Sequence, residues 1–180
     1  MVKVLLSFLL TGWLLLVGSQ PVHAWETVHL PPESFLAEFL PGCEKKALWL
    51  TDEVKTRIEQ LVDRPFPGVR VRYCSAGDRT GWILDEIGKT EPITTGVVVN
   101  GGQVERVRVL VFRESRGGEV HREAFVSQYD DARLNRDDTL DRPIDGITGA
   151  TLSVYALSRQ VKLALYLDEV AREPPARVSP

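Results

Sequence analysis

Residues 145–151, with the sequence DGITGAT, combine an acid, a turn of small residues and hydroxyl groups near the C-terminal end of the chain. The apolar periodicity that follows predicts a helix, and the N–H groups and positive dipole end at its start would attract a phosphate. Gly149 and Ala150 have almost no side chain, so a bulky ligand can approach the backbone. Thr151 offers a hydroxyl that can become a phosphoester. The segment therefore has the composition of a covalent phosphate attachment site.

The same residues also have a purely structural interpretation. Thr148 or Thr151 can be the N-cap of the helix, and Asp145 can cap a turn. A motif made of four small residues also occurs by chance. From these residue types alone, both interpretations stay open.

Residues 145–151, together with Ser153, resemble the flavinylation motif D-x-x-[ST]-G-A-[ST] of the FMN-binding domain family. That family includes the periplasmic flavin subunits of sodium-translocating NADH:quinone reductase and of the Rnf complex, and also free-standing secreted proteins. The resemblance implies an FMN held by a phosphoester bond to Thr151. It also implies a flavin transferase that makes the bond from FAD and recognises Asp145. The neighbours that it places around the cofactor are Thr148, Gly149, Ala150, Leu152 and Ser153.

A second stretch, residues 111–117 with the sequence VFRESRG, resembles the family's strand followed by an E-[TS]-x-G loop. In the family this loop packs near the flavin ring. The resemblance therefore adds four residues to the candidate cofactor site: Glu114, Ser115, Arg116 and Gly117. It covers roughly residues 76–170 and includes the stretch Gly81-Trp82-Ile83, which is similar to the family's opening strand.

Three side chains in these stretches have two interpretations each. Glu114 can bond the edge of a flavin ring or face solvent. Arg116 can favour the anionic reduced flavin or pair with Glu119 on the surface. Trp82 can stack near the ring or belong to the core, as a strand tryptophan commonly does. His121 is a lone histidine in a charged segment, to which the sequence assigns no role.

The elements that must position these residues are an antiparallel sheet and helices. Asn100-Gly101-Gly102 between two apolar runs predicts a hairpin, because both turn positions accept positive φ. The two hairpin strands are predicted at 93–99 and 104–112, and two further strands at 69–73 and 81–87. Helices are predicted at 32–39, 51–62, 119–129 and 151–171. We therefore expect an α+β fold, with about four to five strands packed against helices.

The chain divides into four predicted segments. Residues 1–24 read as a signal peptide, with Lys3, an apolar run and a small-x-small cleavage site before Trp25. An uncleaved membrane anchor is the alternative. A mainly helical N-terminal extension at 25–75, an FMN-binding domain at 76–172 and a disordered tail at 173–180 follow.

Charge and cysteine content narrow the classes of function. Cleavage of the predicted signal peptide would remove Lys3, which leaves 21 of the 22 basic residues against 25 acidic ones and a net charge of −4. A negative net charge argues against nucleic acid or an anionic membrane surface as the partner. Cys43 and Cys74 predict a disulfide in an oxidising compartment, with free thiols and intermolecular pairing as alternatives. No metal constellation, catalytic base or nucleophile pair is recognisable in the sequence.

The function expected from the sequence is electron transfer by an exported flavoprotein with FMN bound covalently to Thr151. We expect it in the periplasm or another extracytoplasmic compartment. Its expected partners are the flavin transferase and membrane or periplasmic redox proteins. Two alternatives stay open: a small FMN reductase with a soluble acceptor, and a binding module without flavin that acts as a sensor or assembly factor.

Overall fold

The computed structural model describes residues 26–172, so the predicted signal peptide and the tail at 173–180 lie outside the described residues. An antiparallel sheet of six strands, in the order β1-β6-β5-β4-β3-β2, forms the framework. The strands are β1 (Thr27–Val28), β2 (Glu44–Trp49), β3 (Arg70–Ala76), β4 (Arg79–Ile87), β5 (Pro92–Asn100) and β6 (Gln103–Phe112). The α+β prediction is therefore confirmed, with more strands than expected.

Helices cover both faces of this sheet. The α-helices are α1 (Pro32–Phe39), α2 (Asp52–Val62), α3 (Glu123–Val126) and α4 (Thr151–Arg172), and short 3-10 helices lie at Gly118–His121 and Ser127–Tyr129. The long helix α4 and helix α2 share one hydrophobic core with β4, β5 and β6, whereas α1 lies over a second core on the opposite face. No helix within residues 26–172 is long and apolar enough to cross a membrane.

The predicted hairpin lies inside the sheet, with a neighbouring strand on each side. β5 and β6 pair from Thr94↔Val111 to Asn100↔Gln103, and the turn residues Gly101 and Gly102 have φ of 58° and 76°. Positive φ at both turn positions matches the right-handed twist of the flanking strands, so the glycines select this connection. Val97 and Val98 are both fully buried, one in each core, which explains the continuous apolar run of β5.

The N-terminal extension is less helical than expected. Besides α1 and α2 it supplies β1, β2 and β3, and these strands complete both edges of the sheet. β2 was not predicted, because its side chains are exposed or half-buried throughout and the strand therefore has no apolar alternation. β1 consists of two residues, which pair with the end of β6. The extension is thus part of the same sheet as the rest of the described chain.

The face that α1 covers depends on close packing against a glycine. A Cβ at Gly96 would lie 2.6 Å from the Phe35 ring, so only a bare backbone lets α1 approach the sheet. Cys43 and Cys74 form a disulfide with a Cα–Cα distance of 5.5 Å, which links the start of β2 to β3. On the other face, Trp82 is fully buried and stacks on Tyr73, so the core interpretation of this tryptophan is right.

Candidate functional site

The first candidate segment is a tight turn that leads directly into α4. The N–H of Ala150 donates to the carbonyl of Ile147 at 2.9 Å, and Gly149 has a φ of 84°. Positive φ at the third position of such a turn favours glycine. The carbonyl of Ala150 then accepts the N–H of Val154 at 3.0 Å, so the helix proper begins at Thr151, which is exposed.

The two threonines do not act as helix caps. Within residues 26–172, the hydroxyls of Thr148 and Thr151 have no hydrogen-bond partner. In α2, by contrast, Thr51 caps the helix by accepting the N–H of Val54 at 3.3 Å. The backbone N–H groups of residues 151–153 donate to no carbonyl of the described chain, as expected for a first helical turn. The start of α4 thus presents free donors beside an unpartnered hydroxyl.

The loop after β6 contacts the start of α4. Gly117 has a φ of 84°, and a Cβ there would lie 2.6 Å from Oγ of Ser153 and 3.2 Å from Cβ of Ala150. A side chain at this position would therefore push the loop away from the helix. The structure brings together the two segments singled out in the sequence, although more than 30 residues separate Gly117 from Thr151.

Two neighbouring clefts lie along this contact. The first has a volume of about 590 Å³ and is lined by Lys89, Glu114, Ser115, Arg116, Gly149, Ala150, Thr151, Leu152 and Ser153. The second has a volume of about 530 Å³ and is lined by Ser115, Arg116, Gly117, Gly118, Glu119, His121, Arg122, Thr148 and Gly149. Both volumes are in the range of small-molecule sites, and Thr151 lines the first cleft.

Glu114 does not face solvent, which was one of its two predicted environments. Its side chain is buried, and its Oε1 accepts the backbone N–H groups of Lys89, Thr90 and Glu91 at 2.5, 2.6 and 2.9 Å. Its Oε2 accepts the Thr90 hydroxyl at 3.3 Å. The carboxylate therefore holds the turn between β4 and β5 against the first cleft, and the expectation that it faces solvent is wrong.

The environment of Glu114 also determines its ionisation. Burial on its own would raise the pKa of this carboxyl group, but the N–H groups of Glu91, Thr90 and Lys89 and the Thr90 hydroxyl outweigh burial and lower it. The group is consequently ionised at neutral pH. A buried carboxylate with three backbone donors is a structural anchor, since few lone pairs remain for a ligand.

Two cations line the first cleft. Neither Arg116 nor Lys89 forms an ion pair with a residue of the described chain, so the predicted pairing of Arg116 with Glu119 is not formed. Lys89 carries no local signal in the sequence, because only the tertiary contact between Glu114 and the β4–β5 turn places it at the cleft. An anion bound here would meet positive charge and free backbone donors together.

His121 acquires a structural role in the wall of the second cleft. Its ring stacks on that of His29, with centroids 4.1 Å apart and planes 11° from parallel. Its Nδ1–H donates to the carbonyl of Gly118. Burial and the nearby His121 lower the pKa of His29. The pair fixes the segment after β1 against the loop that bounds the cleft.

Asp145 lies outside both clefts. Its backbone N–H donates to Oε1 of Gln128 at 2.8 Å, and its exposed carboxylate has no partner within residues 26–172. The capping role considered for this carboxylate is therefore absent. The side chain remains accessible to another protein, a few residues before Thr151.

The comparisons with known proteins concern the same region. Residues 88–166 match the model of a family described as the FMN-binding domain. This range contains every residue that lines the two clefts, whereas α1, α2 and the first four strands lie outside it. No curated protein and no solved structure matches the chain.

Proposed function

Because residues 88–166 form a domain of the FMN-binding family, the protein binds FMN, and we propose that it is an exported electron-transfer flavoprotein whose FMN is esterified to Thr151. One observation carries the covalent part of this proposal. The Thr151 hydroxyl is exposed, has no partner in the described chain and stands at the first residue of α4 in the first cleft.

The residues of the cleft fit this cofactor. The free N–H groups of residues 151–153 and the helix dipole suit a phosphate, and Lys89 and Arg116 add positive charge. The missing side chain at Gly117 keeps the loop close to the helix start, so backbone and ligand can approach each other. These features favour a phosphorylated ligand at Thr151.

The proposed attachment is a transfer of the FMN group from FAD by a separate flavin transferase. The bond that forms joins the Thr151 Oγ1 to the phosphorus of FMN, and the bond that breaks is the pyrophosphate link of FAD. AMP leaves, and the threonine proton passes to solvent. Asp145 is exposed, lies a few residues before Thr151 in the chain and lines neither cleft, which suits recognition by the transferase.

Bound FMN would supply one- and two-electron transfer, and the protein would position and tune it. A covalent link through the phosphate keeps the cofactor on a protein that works where free FMN is scarce. The signal-like sequence of residues 1–24 supports export, and membrane or periplasmic redox proteins are the proposed partners. Thr151 and Leu152 are both exposed, which leaves the attachment point accessible to them.

Co-expression with a flavin transferase tests the proposal. We expect a flavin that fluoresces in a denaturing gel and a peptide that carries the mass of FMN less one water on Thr151. Thr151→Ala should remove the adduct, whereas Thr151→Ser, which keeps a hydroxyl, should retain it. A protein that is yellow when native but loses all flavin on denaturation would contradict the covalent link, and an adduct on Thr148 would contradict its position.

A further inference from the structure

The sheet opens between two of its inner strands, β3 and β4. β3 and β4 pair only from Tyr73↔Trp82 to Ala76↔Arg79. The preceding part of β3, residues 70–72, pairs only with β2, and the following part of β4, residues 83–87, pairs only with β5. The two strands therefore separate beyond Tyr73 and leave a gap within the sheet.

A cavity of about 1010 Å³ occupies this gap. Its volume is at the upper end of the range of about 300–1,000 Å³ for small-molecule sites. None of its lining residues belongs to either cleft at the start of α4. The gap is thus a candidate site separate from the proposed FMN site.

The deep wall of the cavity is apolar. Val71, Leu84 and Leu163 belong to the core that β3 and β4 share with α4, and Phe66 packs against the same core. Tyr73 joins this wall with its ring stacked on Trp82 at a centroid distance of 4.7 Å. A ligand that reaches this wall must have an apolar body, because burial there removes apolar surface from water.

The opposite side of the gap carries positive charge. Lys45 pairs directly with Cys74, which packs under α1, and Arg70 and Arg72 share that face because side chains alternate along a strand. Lys45 and Arg72 form no ion pair with a residue of the described chain, and Arg70 only lies over the Trp49 ring at 5.5 Å. The face therefore offers cations that lack a counter-charge.

One lining residue, Asp85, is acidic. Its Oδ1 accepts a hydrogen bond from the Thr94 hydroxyl on β5 at 2.5 Å, so one carboxylate oxygen is already bonded within the protein. A further cation, Lys46, lines the cavity and pairs with the exposed Glu44 at 3.2 Å. Positive charge remains in excess at the cavity.

We propose that this gap binds a single-chain amphipathic carboxylate of the fatty-acid class. The aliphatic chain lies in the gap between β3 and β4 against Leu163 and Phe66, and the carboxylate meets Lys45 and Arg72 on the α1 side. Apolar burial supplies the affinity, and the unpaired cations select an anionic head group. The site does not depend on FMN.

Decanoate is a suitable probe at concentrations below micelle formation. Calorimetry should show one saturable site per protein. Tryptophan fluorescence should show the same saturation, because Trp82 stacks on Tyr73 in the cavity wall. Decanol has the same chain without the charge and should bind about fivefold more weakly, and acetate should not bind. The Thr151→Ala protein should bind decanoate as the unmodified protein does.

Two variants separate the head group from the chain. Lys45→Gln combined with Arg72→Gln should weaken decanoate binding about fivefold and leave decanol binding unchanged. Phe66→Ala should weaken both ligands. Arg136→Gln, which changes an exposed cation that does not line the cavity, should change neither. No saturable decanoate binding, equal affinity for decanol, or an unaltered affinity in the double variant with native circular dichroism would each overturn the proposal.

Discussion

The carboxylate of Glu114 at the end of β6 accepts the backbone N–H of Lys89, in the turn between β4 and β5, at 2.5 Å. The same oxygen accepts the next N–H along the turn at 2.6 Å. A buried anion therefore ties the turn to the loop that contacts the start of α4. Because this turn is held in place, Lys89 lines the cleft that contains Thr151.

We expect Glu114→Gln to lower the free energy of unfolding at pH 7 by about 1.5–3 kcal/mol, the range for hydrogen bonds to a charged group. An amide has one acceptor oxygen and places an NH₂ group among backbone donors. The pKa of Glu114 is lowered from 4.5, so its contribution is fully present above about pH 4.5 and is lost as the pH falls through the folded-state pKa. Urea unfolding at pH 7 and at acidic pH measures both effects.

The matched control for this prediction is Glu119→Gln, since Glu119 is exposed and lies in the following turn. It should change stability by less than about 0.5 kcal/mol. The difference between the unmodified protein and Glu114→Gln should shrink on acidification. A difference that stays constant from pH 7 to pH 3 would show that the charge of Glu114 does not contribute.

Gly117→Ala should separate the loop from α4. Its φ of 84° makes a side chain unfavourable by about 1–2 kcal/mol, and the contact of the new Cβ with Ser153 at 2.6 Å adds to this. Gly101→Ala also has positive φ but meets nothing within 4 Å, so it measures the conformational part alone. Thermal unfolding should place Gly117→Ala below Gly101→Ala, and adding Ser153→Ala should recover part of the loss. Equal stabilities would contradict the contact.

Local signals in the sequence predicted the elements that carry the site. The hairpin glycines and the apolar periodicity of α4 act over a few residues, and the structure has both the hairpin and the helix. The contact between residues 114–117 and the start of α4 was predicted only through the family resemblance. No local pattern encodes such a contact, because it joins segments that are distant in the chain.

The environment of Glu114 and the edges of the sheet could not be read from the sequence. Glu114 is buried because backbone donors from another turn surround it, which depends on the register of β4 and β5. β2 is a strand because it pairs with β3, although its own side chains face solvent. Both features follow from tertiary pairing, which overrides residue propensity.

The disulfide between Cys43 and Cys74 should contribute about 3–4 kcal/mol to stability, since it closes a loop with a sequence separation of 31. We expect the double variant Cys43→Ser with Cys74→Ser to have a free energy of unfolding, measured in urea, that is lower by this amount. The same protein should still take up FMN, because neither cysteine lines the clefts. A double variant as stable as the oxidised protein would show that the cross-link contributes nothing.

Asp145→Ala should abolish covalent flavin loading and leave stability within about 0.5 kcal/mol, because the exposed carboxylate has no partner in the described chain. Mass spectrometry after co-expression with the transferase measures loading, and thermal unfolding measures the fold. Glu169→Ala removes another exposed carboxylate at the far end of α4 and should load normally. A normally loaded Asp145→Ala protein would refute the role in recognition.

The reduction potential of the bound flavin should distinguish the two clefts. Thr151 lines only the first cleft, so we expect the flavin ring to meet Lys89 rather than Arg122, which lines the second. A nearby cation favours the reduced anion, so Lys89→Gln should lower the two-electron potential by about 10–30 mV, where 30 mV corresponds to about 1.4 kcal/mol. Spectroelectrochemical titration of the loaded protein measures the shift, with Arg122→Gln as the control of equal charge change. A larger shift for Arg122→Gln than for Lys89→Gln would place the ring in the second cleft instead.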